Sequence, residues 1–374
     1  MHVLSQVAFA LFVLLFGYFF YQNMVTGLRR QGITLGFSFL QGLAGFDIGQ
    51  TLIDFTRNST YWRAFLVGLL NTLLVSAVGI FLSTVLGIIL GVARLSTNLL
   101  VKWLATAYLE LMRNLSLLVF LVFIYLGIFL KLPRVAEVIV WPGPIYLSNR
   151  GLAFPWGIPT ESFSTYAGIL LLGLIAAVVV AFLLAQRGRR TGRPPFILAW
   201  VAGIFLFSAI AGWIALPNPP LVVELPSVQG FNITGGYVVT PEFAALVTGL
   251  VLYTAAFIGE VVRAGILSIS KGQVDAAKAI GLSGFQILRL VVFPQALRVI
   301  IPPLTSQYLN LTKNSSLAIA IGYSDMFYVS NVIANQTGRA VEMVTLVMLT
   351  YLSFSLITSL FMNWYNSKVR LIER

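Results

Sequence analysis

The sequence predicts an all-α polytopic membrane protein with about eight transmembrane helices. Three observations carry that prediction. Of 374 residues, 58% are hydrophobic and only 10% charged, where a soluble domain carries about 25% charged residues. Mean hydropathy is +0.91. Apolar runs long enough to cross ~30 Å of hydrocarbon at 1.5 Å per residue recur at approximately 6–24, 62–92, 104–130, 166–186, 195–216, 241–267, 298–322 and 343–364. Lipid does not tolerate unpaired backbone polar groups, so each run must be a helix.

Charge and residue usage exclude several classes. The chain has 24 Lys+Arg against 12 Asp+Glu, a net charge of +12. In a soluble protein that balance would point to nucleic acid. Here it points to cytoplasmic loops meeting anionic headgroups, so membrane lipid is the expected partner and nucleic acid is not. There is no cysteine and one histidine, His2, so disulfides and Cys- or His-clustered metal sites are not expected. No catalytic constellation and no G-x-x-x-x-G-K-[ST] phosphate loop occurs. The chain is therefore not expected to be an enzyme or to hydrolyse ATP itself. The run Val7–Tyr21 lacks a basic n-region and an A-x-A site, so it reads as a retained anchor.

Loop 25–61 contains Gly32, Gly36, Gly42, Gly45 and Gly49, which break any long helix. Its Phe37, Phe39, Leu40, Leu43 and Phe46 suggest a segment lying on the membrane. Span two is punctuated by Gly79, Gly87 and Gly91, which favour close helix packing. Loop 131–165 is rich in Pro, Gly and aromatics and reads as ordered but irregular. Spans four and five form a hairpin around Arg187, Arg189, Arg190 and Arg193, which places that turn in the cytoplasm. Loop 217–240 has no Lys or Arg, as the opposite side requires. Lys271, Lys278, Arg289 and Arg298 put the loop after span six in the cytoplasm, and eight spans put both termini there. Arg29 and Arg30 directly after span one pull that span the other way.

Polar residues inside or beside spans mark candidate sites. Glu110 and Arg113 are i,i+3 and can form a local ion pair. Glu260 and Arg263 repeat that spacing near the end of span six. Asn310, Lys313, Asn314 and Ser315 interrupt span seven. A helix starting at Pro302 or Pro303 would put Lys313 about 15 Å deep, where a cation faces a cavity or a partner. Between spans six and seven, Gln273–Ile280 reads as a short helix with Asp275 near its start and Gly281 as a left-handed stop. Adjacent Ala276 and Ala277 make a low-relief surface, Ser283 can cap a second helix, and Pro294 bends or ends it.

Asp275-Ala276-Ala277, three residues, Gly281, nine residues, then Val291, Phe293 and Pro294 resembles the EAA loop of ABC importer permeases. Asp275 stands for the family's Glu, Val291 for Ile and Phe293 for Leu. Glu110-Leu-Met-Arg113-Asn114-Leu-Ser116-Leu-Leu-Val resembles the E-x-x-R-N-x-P-L-L-V of polar amino-acid permeases, with Ser116 for Pro and Phe120 for the usual Gln. Glu260-Val-Val-Arg263-Ala-Gly265-Ile resembles the family's E-x-x-R-x-G-I. The match covers about 62–130 and 240–365, and is similar to the larger, eight-span permeases of general L-amino-acid systems.

The resemblance implies a five-helix type I importer core, decorated by an extra N-terminal span and an inserted hairpin. It implies these parts: 1–61, N-terminal span and loop; 62–130, first part of the core; 131–240, periplasmic loops with the hairpin; 241–374, second part of the core with coupling loop 268–298. It further implies a bacterial inner-membrane location, a second, related but different permease chain, two ABC ATPase subunits carrying ATP and Mg, a solute-binding protein and an amino-acid substrate. Asp275, Ala276, Ala277, Lys278 and Gly281 would couple to the ATPase. Glu260, Asn310, Lys313, Asn314 and Ser315 are candidates for the substrate path, with Glu260 equally readable as a structural partner of Arg263. Glu110, Arg113 and Arg263 read as structural ion pairs. The alternatives are an ion-coupled secondary transporter or channel, which would show inverted repeats, and a scaffold without transport.

Overall fold

The computed structural model describes residues 2–30, 36–191, 196–230 and 232–369. Gly32, Gly192, Arg193, Arg370 and Arg374 lie outside the described residues. The chain divides into two units, 1–128 with 242–374, and 129–241.

The first unit is helical. It comprises α1 (His2–Arg30), α2 (Tyr61–Ala93), α3 (Leu99–Asn114) and α4 (Leu117–Gly127). After the second unit, whose last residue opens α7 (Pro241–Leu267), follow α8 (Lys271–Ala279), α9 (Gly284–Ile287), α10 (Phe293–Asn314), α11 (Met326–Thr337) and α12 (Ala340–Val369). Among the described residues, seven helical segments are long and apolar enough to span a bilayer, or eight if a bent pair counts as one span. The expected single span 104–130 is instead two helices, α3 and α4, bent by 105°. The break falls at Leu115 and Ser116, both extended. An extended residue cannot propagate i→i+4 bonds, so one helix ends there and another begins.

The second correction concerns span seven. Helix does not begin at Pro302 or Pro303; both lie inside α10. The segment runs from Gly284 through a π-helical turn at Leu288–Val292 and α10 to a 3-10 turn at Ser315–Ile321. Pro294 does not end it. A proline lacks an N–H and crowds the preceding turn, and the wider turn just before it makes that room. Lys313 therefore sits in the last turn of α10, where a cation suits the helix dipole.

Packing follows close-approach geometry. A Cβ on Gly87 would meet Ile258 at 2.5 Å, and one on Gly91 would meet the Gly259 carbonyl at 2.7 Å. Only glycine lets α2 and α7 come this near, the usual device where lipid supplies no hydrophobic drive for association. Tyr108 donates to the Leu252 carbonyl at 2.7 Å and Tyr125 to Glu242 at 2.8 Å, joining α3 and α4 to α7. The Thr84 and Tyr308 hydroxyls lie 3.0 Å apart across α2 and α10.

Loop 36–60 also departs from expectation. Leu40, Ala44 and Ile48 are buried with Phe65, Met326, Val329, Ile333 and Met343, and Phe39 and Phe46 pack against them. Phe37 and Leu43 remain exposed. The apolar residues that suggested a membrane-lying segment instead dock most of it on α2, α11 and α12. Asn71 secures it by donating to the Gln50 and Ser324 carbonyls, each at 2.9 Å.

The second unit holds the hairpin α5 (Phe163–Thr191) and α6 (Ile197–Ala215) with eight short strands. Strands β1 (Ile139–Trp141), β2 (Ile145–Ser148), β3 (Gly151–Phe154) and β8 (Tyr237–Val239) form an antiparallel sheet in that order. Strands β4 (Trp156–Pro159) and β5 (Leu221–Glu224) pair antiparallel, as do β6 (Ser227–Gln229) and β7 (Asn232–Thr234). Pairing of 151–159 with 221–239 requires both segments on one side of the bilayer, consistent with two intervening spans.

Asp325 generates a prediction. It lies between the spans, fully buried, and accepts the Tyr328 N–H at 2.8 Å as the cap of α11. Burial pushes its carboxyl from 3.8 up to about 7, against the pull of the Tyr328 and Phe327 N–H groups. The unfolded chain loses this proton near pH 4 and the folded chain near pH 7. Folded protein thus binds more protons across that window, and stability falls as pH rises through it, levelling above. The thermal unfolding midpoint is expected to drop between pH 5 and 7, and Asp325→Asn, which keeps the cap, to flatten that slope. An unchanged slope would show that another group is responsible.

Candidate functional site

The elbow between α7 and α10 is built from its sequence. Helix α8 closes with Leu282 N–H bonding the Ala277 carbonyl at 3.2 Å and Gly281 N–H bonding the Lys278 carbonyl at 2.9 Å. That paired pattern needs a left-handed residue, and Gly281 has φ +82°. A side chain there meets no neighbour within 4 Å, so its cost is backbone strain, roughly 1–2 kcal/mol. Ser283 then starts α9 with a reciprocal capping box to Gln286. Asp275 is the fifth residue of α8, not in its first turn as expected; it pairs with Lys278 at 3.5 Å, both side chains exposed.

Ala276 and Ala277 part company. Ala277 is 4% exposed and buried with Ile287 and Val292, ringed by Ile266, Ile269, Val274 and Leu282. Ala276 faces outward, as do Ile280 and Phe285. The free apolar surface of the elbow thus includes Ala276, Ile280 and Phe285. Sequence reasoning missed the last two, although bulky apolar residues in a polar loop were the available signal.

Glu260 sits at a charged junction. It pairs with Arg94, the residue capping α2, and accepts from Arg263 Nε at 3.2 Å. Arg94 also approaches Glu110 of α3 at 3.7 Å. The expected Glu110–Arg113 pair does not form among the described residues; Arg113 is exposed. A carboxylate between two guanidiniums is already satisfied, so Glu260 ties α2 to α7.

A cavity of about 270 Å³ opens between α7 and α10, lined by Tyr253, Thr254, Phe257, Gln307, Asn310 and Asn314. Residues 307, 310 and 314 share one helical face. Tyr253 and Phe257 stack obliquely, ring centres 5.0 Å apart. The volume is near the lower end for ligand pockets. The lining holds three amides, each able to donate and accept, and no charged side chain. Two predicted path residues, Asn310 and Asn314, meet here. Glu260 and exposed Lys313 do not line it, and Ser315 is buried with its hydroxyl on the Thr312 carbonyl at 2.8 Å.

Several apolar helices, a capped elbow joining two of them and a polar cavity between the same two define a membrane-transport subunit. Residues 169–371 match the family "Binding-protein-dependent transport system inner membrane component". The chain is 48% identical over 352 residues to the General L-amino acid transport system permease protein AapQ of Rhizobium johnstonii, covering 94% of this chain and 88% of that one. It is 38% identical over 390 residues to the Glutamate/glutamine/aspartate/asparagine transport system permease protein BztB of Rhodobacter capsulatus, covering 94% and 89%. The chain belongs to this family of inner-membrane transport components.

The two alanines separate packing from surface. Ala277→Asp places a carboxylate among Ile287 and Val292 and is expected to cost on the order of 2 kcal/mol or more. Ala276→Asp is expected to cost under about 0.5 kcal/mol. Thermal unfolding of the purified chain in detergent checks this; equal shifts would contradict the inward placement of Ala277.

Proposed function

We propose that this chain is the non-catalytic permease subunit of an ATP-driven amino-acid importer, pairing with a second permease chain. Partner ATPase subunits supply ATP and Mg chemistry, and a solute-binding protein delivers cargo from outside. The elbow and the C-terminus face the cytoplasm. The observation that carries this reading is that α7 and α10 bear both features: their facing sides line the cavity, and their near ends hold the elbow. Ile266 of α7 and Val292 beside α10 close on Ala277, so a push on α8 is passed to both cavity walls. Ala276, Ile280 and Phe285 are the surface an ATPase grips. The resemblance of relatives named for amino-acid transport, and the amide lining, support the cargo class. Amide oxygens can receive an ammonium group and amide N–H groups a carboxylate, so recognition does not require Lys313 or Glu260.

Two experiments test it in the reconstituted importer. Ala276→Asp and Gly281→Val are expected to leave insertion intact and to lower amino-acid-stimulated ATP hydrolysis and uptake together, by tenfold or more. Normal stimulation in both would remove the elbow from coupling. Asn310→Leu with Asn314→Leu removes hydrogen bonds of roughly 1–3 kcal/mol. Uptake is expected to fall about tenfold while the ATPase subunits remain bound. Full uptake would place the path elsewhere.

A further inference from the structure

The β4–β5 ribbon has four residue pairs and, among the described residues, no third strand: Trp156 with Glu224, Gly157 with Val223, Ile158 with Val222 and Pro159 with Leu221. Directly opposed residues share a face, so Trp156, Ile158, Val222 and Glu224 lie on one side and Val223 on the other. Both sides are exposed: Trp156 is 51%, Ile158 43%, Val222 50% and Val223 63% accessible. Trp156 packs against the Phe154 and Tyr237 rings. A two-stranded ribbon is marginal in water by itself, and one with this much exposed apolar surface is an aggregation liability.

Its tether says what covers it. Thr160 donates its hydroxyl to the Pro219 carbonyl at 2.8 Å and its N–H to the Pro220 carbonyl at 3.1 Å. Its own carbonyl accepts the Phe163 N–H at 3.0 Å, so the ribbon is stitched to the first turn of α5. Three residues of chain reach at most about 10 Å, and the polar layer outside the hydrocarbon is roughly 5–8 Å deep. Helix α6, 19 residues long, just covers ~30 Å of hydrocarbon. Few side chains of the α5 and α6 spans are buried, so the ribbon continues directly from a lipid-facing surface. Within the ribbon Glu224 is the lone charged residue, beside the turn at Gly235. A non-obligate protein interface is only about as apolar as the rest of a protein surface, whereas the exposed side chains of this ribbon are apolar except Glu224.

We propose that the β4–β5 ribbon lies in the headgroup–acyl boundary of the leaflet next to the stitched ends of α5 and α6. Trp156, Ile158, Val222 and Val223 are its anchors, and the indole takes the interfacial position that tryptophan favours. The inserted hairpin is thereby held to lipid at its loop end. This requires only that α5 and α6 span the bilayer, and does not rest on the cargo or coupling assignments.

The chain has no cysteine, so single labelling sites are clean. Ile158→Cys and Val223→Cys, each carrying an environment-sensitive fluorophore, are placed in the full chain in phosphatidylcholine nanodiscs, with Val178→Cys on exposed α5 as the lipid standard. The expected result is quenching by shallow doxyl-labelled lipid about threefold or more stronger than by aqueous iodide at both ribbon sites. Adding solute-binding protein is expected to change neither. Quenching by iodide alone would overturn the proposal and place the ribbon in water. Shielding from both quenchers, whether constant or brought on by binding protein, would overturn it in favour of a protein interface. Retained uptake by both labelled variants when reconstituted with their partner subunits into sealed proteoliposomes shows that the labels report on a folded chain.

Discussion

A bilayer interior offers no water to a stray N–H or carbonyl, and this constraint governs the first unit. It requires each crossing to be helical and each interruption to be repaired locally. The repairs are visible. Asn98 accepts from the Leu100 and Val101 N–H groups at the start of α3. Gln295 donates to the Val291 carbonyl at 3.0 Å inside the π-helical turn. Asn71 takes two carbonyls where loop 36–60 and the segment before α11 converge. Each polar side chain stands where the backbone ladder is broken.

Since lipid competes with leucine on equal terms, contact between helices depends on shape and polar pairing. At one end of α2 and α7, glycine faces permit backbone approach and Glu260 binds Arg94 and Arg263. Around α10 the backbone is irregular and the contacts more polar, with a π-helical turn, two internal prolines and the amide-lined cavity.

The second unit solves a different problem. Its strands are short, and only β3 lies at the centre of a sheet with partners from both ends of the insertion. The pairing of β3 with β8, and of β4 with β5, closes the insertion on itself around the α5–α6 hairpin.

Much of the architecture is legible in the sequence because hydropathy and charge act locally. The ends of α7 follow from an apolar run bounded by polar residues, and the left-handed stop at Gly281 from three residues of spacing. The family resemblance stands on short motifs of the same kind. What the sequence withheld depends on which neighbour a side chain meets. Ala276 and Ala277 are identical as letters; only the helical phase against Ile287 and Val292 buries one and frees the other. Glu110 could reach Arg113 by spacing, yet Arg94 arrives from another helix. Phe39 and Leu40 could rest on lipid as well as on protein until α11 and α12 present a surface to them. Composition and period mark most of the segments that are helices. The partner of each polar group, and the place of a cavity, are settled only when distant segments compete for the same contact.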